Sequence, residues 1–213
     1  MTERLKIIFD HIPNCDIFAD IGCDHGYIAY EMLKSNKANR VIISDISQKC
    51  LLKAQELLSP FISQGKAVSV VSDGFDKVGD CSSALIAGMG GEEICSILTN
   101  AKTLPDSLIL QPMKNPDKVR RLVVAMGYRI VKDFVFKSSG KFYDLMVLEK
   151  GKDCLTQAEI EFGRDNLNGK SVHFREFIEQ KIARLDGYLK SQNLSIQDRE
   201  KMLKEKERLS KYV

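Results

Sequence analysis

The sequence predicts an α/β fold followed by a pair of packed helices. Over the first 150 residues, short apolar segments alternate with helix-forming segments, and many of the apolar segments are continuous. This pattern is typical of a parallel sheet covered by helices on both faces. Beyond residue 150, apolar residues recur at helical spacing without further strand-like segments, which predicts a helical appendage.

Length and composition limit the classes of protein to consider. The chain has 213 residues, which suggests one domain and an appendage, and its 44% hydrophobic and 29% charged residues exclude a disordered chain. The net charge of +3 is too small to indicate a polyanionic partner by itself. No CxxC pair, histidine ligand spacing, signal peptide or membrane-spanning run is visible. We therefore expect a cytoplasmic protein with reduced thiols and no metal site.

The elements of the first segment, residues 1–150, follow from local signals. Thr2 is expected to cap a helix over 3–12, and Ser47 a helix that ends near residue 64. Asn115 is expected to cap a further helix, with Pro116 in its first turn. Strands are predicted at 16–22, 40–46, 67–73, 84–91 and 107–112. Two more strands around the turn 138–140 should add an antiparallel edge to the sheet.

The second segment, residues 151–213, is predicted to form an antiparallel, coiled-coil-like helical hairpin. Thr156 and Glu159 have the spacing of a capping box, and Ser195 is expected to cap the last helix. A turn near 190–195 would join the two long helices. Their apolar residues are Phe174, Ile178, Ile182, Leu185 and Leu189 in the first, and Met202, Leu203 and Leu209 in the second.

Four strand ends have residues suited to binding a ligand. In open α/β sheets, ligands bind at the carboxyl ends of the strands, near the point where the strand order reverses. The sequences at these ends are 20-DIGCDHG-26, Asp45, Asp73-Gly74 and 88-GMGG-91. Glycines allow close approach of the backbone to a ligand, and Asp45 is placed to accept hydrogen bonds from the hydroxyls of a ribose.

The first of these loops distinguishes between nucleotide cofactors. A dinucleotide-binding loop has the pattern GxGxxG, but Asp24 stands where its second glycine is needed. A carboxylate would repel a pyrophosphate and attract a sulfonium. The pattern D-x-G-x-x-x-G, with an acidic residue after the next strand, is typical of S-adenosylmethionine sites. Neither a Walker A motif nor a GxSxG elbow occurs.

The segments ADIGCDHGY, SDIS, SDGF, AGMGG and QPMKN occur in this order and resemble the TrmK family of bacterial tRNA adenine-N1 methyltransferases, which modify adenine 22. The likeness covers nearly the whole chain. It implies a Rossmann-like class I methyltransferase sheet, S-adenosylmethionine as cofactor and tRNA as partner.

The resemblance also implies the site residues. Those implied for cofactor binding are Asp20, Gly22, Asp24, His25, Gly26, Tyr27, Asp45, Ile46, Ser47, Asp73, Gly74, Gly88 and Met89. The residues implied at the transfer site are Asp24, His25, Met89 and Gly90, with Gly91 beside them and Gln111, Pro112 and Asn115 in the neighbouring wall.

The absence of an obvious catalytic base favours the ring nitrogen as the nucleophile. Adenine N1 has an in-plane lone pair and needs no deprotonation, so proximity and orientation could supply most of the rate. The segment 88–91 offers backbone groups but no Asn or Asp side chain to act on an exocyclic amine. His25 is either an acid–base group or only a hydrogen-bonding residue of its loop.

A tRNA substrate requires basic and aromatic contacts, and basic residues cluster between 114 and 141. We predict that tRNA is contacted by Lys114, Asn115, Lys118, Arg120, Arg121, Lys141 and Tyr143. Phe142 is better interpreted as a packing residue. The alternatives are a methyltransferase acting on another RNA or on an adenine amino group, and a non-catalytic RNA-binding module. A nicotinamide oxidoreductase is disfavoured by Asp24.

Overall fold

A computed structural model describes residues 1–191 and 194–213. Its centre is a seven-stranded sheet in the order β3-β2-β1-β4-β5-β7-β6. The first five strands are parallel, and β7 pairs antiparallel with both β5 and β6. The strands are β1 (Cys15–Ile21), β2 (Ala38–Asp45), β3 (Ala67–Val71), β4 (Ser83–Met89), β5 (Ser107–Pro112), β6 (Tyr128–Ser138) and β7 (Lys141–Lys150). This is the Rossmann-like sheet that the sequence predicts.

Helices cover both faces of the sheet. They are α1 (Glu3–Asp10), α2 (Tyr27–Lys34), α3 (Gln48–Ser63), α4 (Gly91–Asn100), α5 (Pro116–Ala125), α6 (Gln157–Phe162), α7 (Arg164–Gly169), α8 (Val172–Leu189) and α9 (Ile196–Ser210). One core joins α1, α2 and α3 to the sheet through residues such as Ile8, Met32 and Leu51. The other core joins α4 and α5 to the opposite face through Ile94 and Val123.

The expected helix caps form at most of the predicted positions. The side chains of Thr2, Ser47 and Ser195 each accept a backbone hydrogen bond in the first turn of their helices, and Thr156 with Glu159 forms the capping box. Asn115 is an exception. It has left-handed dihedral angles (φ 52°, ψ 48°), and its amide donates to Glu92 Oε1 at 3.4 Å instead of capping α5.

The helices after residue 150 cover the free edge of β6. Along this edge, the backbone N–H groups of Ile130, Asp133 and Val135 donate to side-chain oxygens of Asp153, Asp165 and Asn166, at 2.8–3.0 Å. An uncovered edge strand would expose these donors to pairing with another chain. The second segment is therefore packed closely against the sheet.

A buried ion network joins α5 to the same region. The Arg120 guanidinium donates to Asp133 at 2.7 and 2.8 Å, to Asp144 at 2.7 Å, and to the carbonyl oxygens of Ile160 and Glu161. Burial alone would lower the pKa of Arg120, but the two facing carboxylates raise it above its ordinary value. Arg120 therefore stays charged although its side chain has no exposed surface.

Helices α8 and α9 form the predicted antiparallel pair. Arg199, near the start of α9, donates to the carbonyl oxygen of Leu189 at the end of α8, and further along α9 Lys206 pairs with Asp186. Phe174, Ile178 and Leu209 are buried between these helices and α6, whereas Leu203 is half exposed and lies outside this core. The predicted turn near 190–195 includes residues 192 and 193, which lie outside the described residues. Within the described ranges, no helix is long and apolar enough to cross a membrane.

Candidate active site

A cavity of about 400 Å³ lies at the carboxyl ends of β1 and β4, where the order of the parallel strands reverses. This is the place at which ligands bind in doubly wound sheets. Its wall combines the loop after β1, the start of α2, the end of β4, the N-terminus of α1 and the turn between β6 and β7. Its lining residues include Arg4, Asp20, Gly22, Asp24, His25 and Tyr143.

The loop after β1 is held in a conformation that turns its backbone toward the cavity. Gly22, Asp24 and Gly26 all have positive φ angles of 48–70°. The Asp24 carboxylate lies 2.7 Å from His25 Nδ1, and the His25 ring stacks on Tyr27 with the planes 6° apart. The predicted residues Asp20, Gly22, Asp24, His25 and Tyr27 therefore line one cavity.

Gly26 belongs to the same loop but lies against a helix. A Cβ atom added there would lie 2.9 Å from the Cβ of Ala54 in α3. The missing side chain at this position therefore allows close packing of the loop on α3. Its predicted contact with the cofactor stays a prediction.

The end of β2 is joined to this loop by a carboxylate. Asp45 Oδ2 accepts a hydrogen bond of 3.4 Å from the backbone N–H of Asp24, and Oδ1 accepts one of 2.8 Å from the N–H of Ser47. The side chain of Ile46 is 72% exposed beside them. An exposed apolar side chain next to a carboxylate suits the base and the ribose of a nucleoside, as predicted for these three positions.

Asp73 and Gly74 lie at the end of β3, outside the wall of the main cavity. Asp73 is exposed and lines a separate cleft of about 60 Å³ with Phe75 and Ser96. A Cβ on Gly74 would lie 2.8 Å from Ile97 of α4, so this glycine serves helix packing. Contact of either residue with a bound adenine stays a prediction.

The segment 88–91 adjoins the cavity through the contact of Met89 with Gly22, and three of its four residues are glycines. The Met89 side chain lies over Gly22, and a Cβ on Gly22 would overlap Met89 Cε at 2.0 Å. The Met89 carbonyl accepts from the N–H of Met113, and the N–H of Gly91 donates to the Lys114 carbonyl, both at 2.8 Å. A Cβ on Gly91 would lie 2.5 Å from the Lys114 and Asn115 carbonyl oxygens. These contacts fix segment 88–91 against segment 113–115.

This packing also explains why Asn115 does not cap α5. The close approach of Gly91 requires a tight turn at 114–115, and the left-handed conformation of Asn115 provides it. Its side chain is then directed toward Glu92 and away from the first turn of α5. The expectation of a capping side chain is wrong, while Pro116 does occupy the first helical turn.

Acidic groups dominate the electrostatics on the β1 side of the cavity. Burial, with a smaller contribution from the nearby Asp45 carboxylate, raises the pKa of Asp20 to about 7, against a hydrogen bond from the backbone of Ala29 that lowers it. Burial also raises the pKa of the Cys23 thiol, so this cysteine stays protonated at neutral pH. The exposed Asp24 carboxylate makes the loop side of the cavity suited to a ligand with positive charge. Among the described residues, no three His, Cys, Asp or Glu side chains could hold a metal ion together.

The wall opposite the β1 loop consists of residues that the sequence does not predict to lie in the site. Arg4 and Thr2 of the N-terminal region, and Ser138 and Ser139 of the turn after β6, line the cavity. They are separated from the β1 loop along the chain, and their local pattern is that of a helix cap and a turn. Tyr143 was predicted to contact tRNA, and the structure places it in this same wall.

The residues predicted to contact tRNA divide into two groups. Lys114, Asn115, Lys118, Arg121 and Lys141 are exposed, although Lys118 pairs with Glu92 and Arg121 donates to Gln157. Arg120 is completely buried among Asp133 and Asp144, so its predicted contact with tRNA is wrong. Arg120 faces Asp133 and Asp144, whereas Arg121, about 100° further around α5, is exposed.

Comparison with known proteins agrees with this geometry. The model of a family described as "Methyltransferase domain" matches residues 1–146. The tRNA (adenine(22)-N(1))-methyltransferase of Bacillus subtilis is 31% identical over 161 residues, which are 71% of this chain and 66% of that protein. The chain thus spans slightly less than two thirds of this relative's length in the alignment.

Solved structures extend the likeness over the whole chain. M. capricolum TrmK, in complex with S-adenosyl-homocysteine, overlays with a TM-score of 0.86 and 25% identity over 100% of this chain and 97% of that one. The B. subtilis m1A22 tRNA methyltransferase TrmK overlays with a TM-score of 0.86 and 24% identity, over 100% and 98% of the two chains. The fold thus continues through the C-terminal helices.

The fold, the strand-end cavity and the family match together define a class I methyltransferase. The loop after β1 and the end of β4 meet in the cavity at the switch point of the sheet, the place at which ligands bind in doubly wound sheets. Within the class, the chain belongs to the TrmK family.

Proposed function

We propose that this protein transfers a methyl group from S-adenosylmethionine to N1 of adenine 22 in tRNA. The observation that supports this most strongly is the cavity at the switch point of the sheet, where the acidic β1 loop meets Leu85 and Ala87 of β4. The segment 88–91 that follows has no Asn or Asp side chain. The B. subtilis relative, which is named for this reaction, supports the choice of substrate.

The residues present fit the proposed cofactor. The positive-φ backbone at Gly22 and Asp24 brings main-chain groups to the edge of the cavity, and the Asp24 carboxylate suits a sulfonium. Asp45, already an acceptor of two backbone N–H groups, would bind the ribose beside Ile46. When bound, S-adenosylmethionine supplies the activated methyl group.

The protein's own part in the reaction is to position the target adenine and to provide the electrostatic environment around it. Adenine N1 attacks with an in-plane lone pair, so no side chain has to remove a proton first. Segment 88–91 leaves room for a flat base, and its fixed contacts with segment 113–115 hold this wall in place. Since the adenine ring becomes cationic, the neighbouring Asp24 carboxylate would stabilise the developing charge.

Binding of tRNA is proposed for the exposed basic residues near the cavity. These are Lys114, Lys118, Arg121 and Lys141, with Asn115 beside them and Tyr143 in the cavity wall. N1 lies on the Watson–Crick edge, so the target base must leave its stack before transfer.

The division of labour along the chain is part of the same proposal. Residues 1–150 would bind the cofactor and perform the transfer, and residues 151–213 would help to position tRNA. The contacts of Asp153, Asp165 and Asn166 with β6 mean that the second segment is held rigidly against the first. A tRNA substrate is consistent with the cytoplasmic location that the sequence predicts.

The decisive experiment is methyl transfer to unmodified tRNA, followed by nucleoside analysis. The expected product is 1-methyladenosine at position 22, and a tRNA with guanine at that position should not be modified. A tRNA with 1-deazaadenine at position 22 keeps the amino group but replaces N1 by carbon. Methylation of that substrate would show attack by the amino group and refute the proposal, as would cofactor binding without methylation of any RNA.

A further inference from the structure

A second cleft lies on the other side of β7 from the candidate active site. It has a volume of about 510 Å³ and is bounded by the start of α5, the start of β7 and the helices α6 and α8. Phe142 lines this cleft, whereas the next residue, Tyr143, lines the cavity of the active site. Successive side chains of a strand point to opposite faces of the sheet, so β7 separates the two spaces. The volume of the cleft is within the range of small-ligand sites, about 300–1,000 Å³.

Two partly exposed rings form the apolar part of the cleft. Phe142 packs against Phe177 of α8, with the ring centres 5.6 Å apart and the planes inclined by 64°. Met113, which is 46% exposed, lines the same cleft. Phenylalanine and methionine are most often buried, and their exposure together in a concave place indicates a contact surface for a flat apolar ligand.

The polar groups of the cleft favour a ligand that donates hydrogen bonds. Asp117, in the first turn of α5, lines the cleft and forms no salt bridge with any residue that the structure describes. Asp144 and Glu161 also line the cleft, but they are already paired with Arg120 and Arg208. These carboxylates would repel a phosphate, and the free acceptor of Asp117 suits the exocyclic amino group of a nucleobase.

Cations beside the cleft are placed to hold the phosphates that accompany such a base. Lys181 Nζ lies 5.1 Å from the centre of the Phe177 ring, and no carboxylate in the described part of the chain is within salt-bridge distance of it. Lys114 and Lys141 are exposed, and each directly follows or precedes a lining residue along the chain. Both belong to the surface proposed above for tRNA, so the cleft is continuous with that surface.

We propose that this cleft binds a second base of the tRNA, an inference that rests on the proposed function. The target adenine must leave its stack before transfer, so a neighbouring or opposing base loses its own stacking or pairing partner. Segment 113–115 connects the two places, because it packs against Gly91 beside the transfer site while Met113 lines the cleft. A displaced base stacked on Phe142 and Phe177 would offset part of the free energy needed to extrude the adenine.

A bridge between β6 and α8 holds the two rings together before any RNA arrives. Lys137 Nζ lies 5.3 Å from the centre of the Phe142 ring and donates to Glu176 at 2.6 Å. Glu176 precedes Phe177 in α8, so the bridge joins the strand that pairs with Phe142 to the helix that holds the second ring. Because the rings are already positioned, little conformational entropy is lost when a base binds between them.

The test is a double-mutant cycle between the protein and the tRNA. Unmodified tRNA is made abasic in turn at the nucleotide on either side of adenine 22 and at the nucleotide opposite it. The Kd of each tRNA is measured in the presence of S-adenosylhomocysteine. We expect the wild type to bind one of the abasic tRNAs about 5- to 150-fold more weakly than the intact tRNA, which is the span for stacking one base on an aromatic ring.

The variant Phe142→Leu removes the ring but keeps an apolar side chain. It should bind that abasic tRNA and the intact tRNA within about threefold of each other, because the contact is already lost. Tyr188→Leu is the matched control, since Tyr188 is a 60% exposed aromatic residue of α8 that does not line the cleft. It should discriminate between the tRNAs as the wild type does.

Each other outcome has a distinct meaning. If Phe142→Leu discriminates between the tRNAs as strongly as the wild type does, or binds all of them more weakly by one common factor, the ring only packs against α8 and the inference is overturned. The same holds if no abasic tRNA binds the wild type more weakly than the intact tRNA. In these cases methylation of intact tRNA by the wild type leaves the proposed function standing. If Phe142→Leu does not fold, Phe177→Leu removes the other ring in the same cycle. If the wild type methylates no tRNA, the proposed function itself fails.

Discussion

Replacing Arg120 should be the most destabilising single change at the junction of the sheet and the C-terminal helices. In Arg120→Met, Asp133 would remain almost fully buried without its cation, and the carbonyl oxygens of Ile160 and Glu161 would lose their donor. Breaking a buried ion pair from one side costs about 3–5 kcal/mol. At about 2–4 °C per kcal/mol for a chain of this length, Tm should fall by about 6–20 °C.

Calorimetric unfolding at pH 7 would measure this loss, with Arg121→Met as the matched control. Arg121 is the next residue on α5, is exposed, and makes a single hydrogen bond to Gln157, so its loss should cost less than about 1 kcal/mol. The double variant Arg120→Met/Asp133→Leu should be more stable than Arg120→Met, because it removes the uncompensated carboxylate. If Arg120→Met and Arg121→Met both lose little stability, this reasoning is refuted. If Arg120→Met is stable but binds tRNA more weakly, the contact with tRNA predicted from the sequence would be supported instead.

Three further predictions concern the cavity. Asp45→Ala should weaken binding of S-adenosylmethionine by about 1.5–3 kcal/mol in calorimetry, because charge-assisted hydrogen bonds to the ribose are lost; unchanged affinity would exclude that role. In single-turnover assays, His25→Ala should slow methylation modestly and Asp24→Ala more strongly, since no base is required; abolition of the reaction by His25→Ala alone would contradict this. The ligand-free protein should lose stability as the pH rises from about 4 to 7. Asp20 has a pKa of about 7 in the folded protein and 3.8 in its unperturbed form. Between these values the folded state keeps a proton that the unfolded state has released, so raising the pH favours unfolding. The variant Asp20→Asn has no such proton to lose. The free energy of unfolding of Asp20→Asn, relative to that of the wild type, should therefore increase by about 4 kcal/mol between about pH 4 and pH 7. If the difference between the two proteins is the same at every pH in this range, the pKa of Asp20 is not raised.

Much of the site could be predicted from the sequence because its residues directly follow the predicted strands along the chain. Continuous apolar strands predict a parallel sheet, and a parallel sheet brings the carboxyl ends of its strands to one edge. The residues at the ends of β1, β2 and β4 could therefore be grouped without coordinates, and the structure does bring Asp24 and Asp45 into hydrogen-bond contact. The same local signals predicted the capping box at Thr156 and Glu159.

Tertiary structure alone decided what the charged side chains do. A basic residue on an amphipathic helix looks the same in sequence whether it faces water or a buried carboxylate, so Arg120 and Arg121 could not be distinguished. The burial of Arg120 follows from its position facing Asp133 of β6 and Asp144 of β7. Arg4 reaches Gln111 across 107 positions of sequence. Such contacts follow from the packing of α1 on the completed sheet, whereas local periodicity determines only that α1 and the strands form.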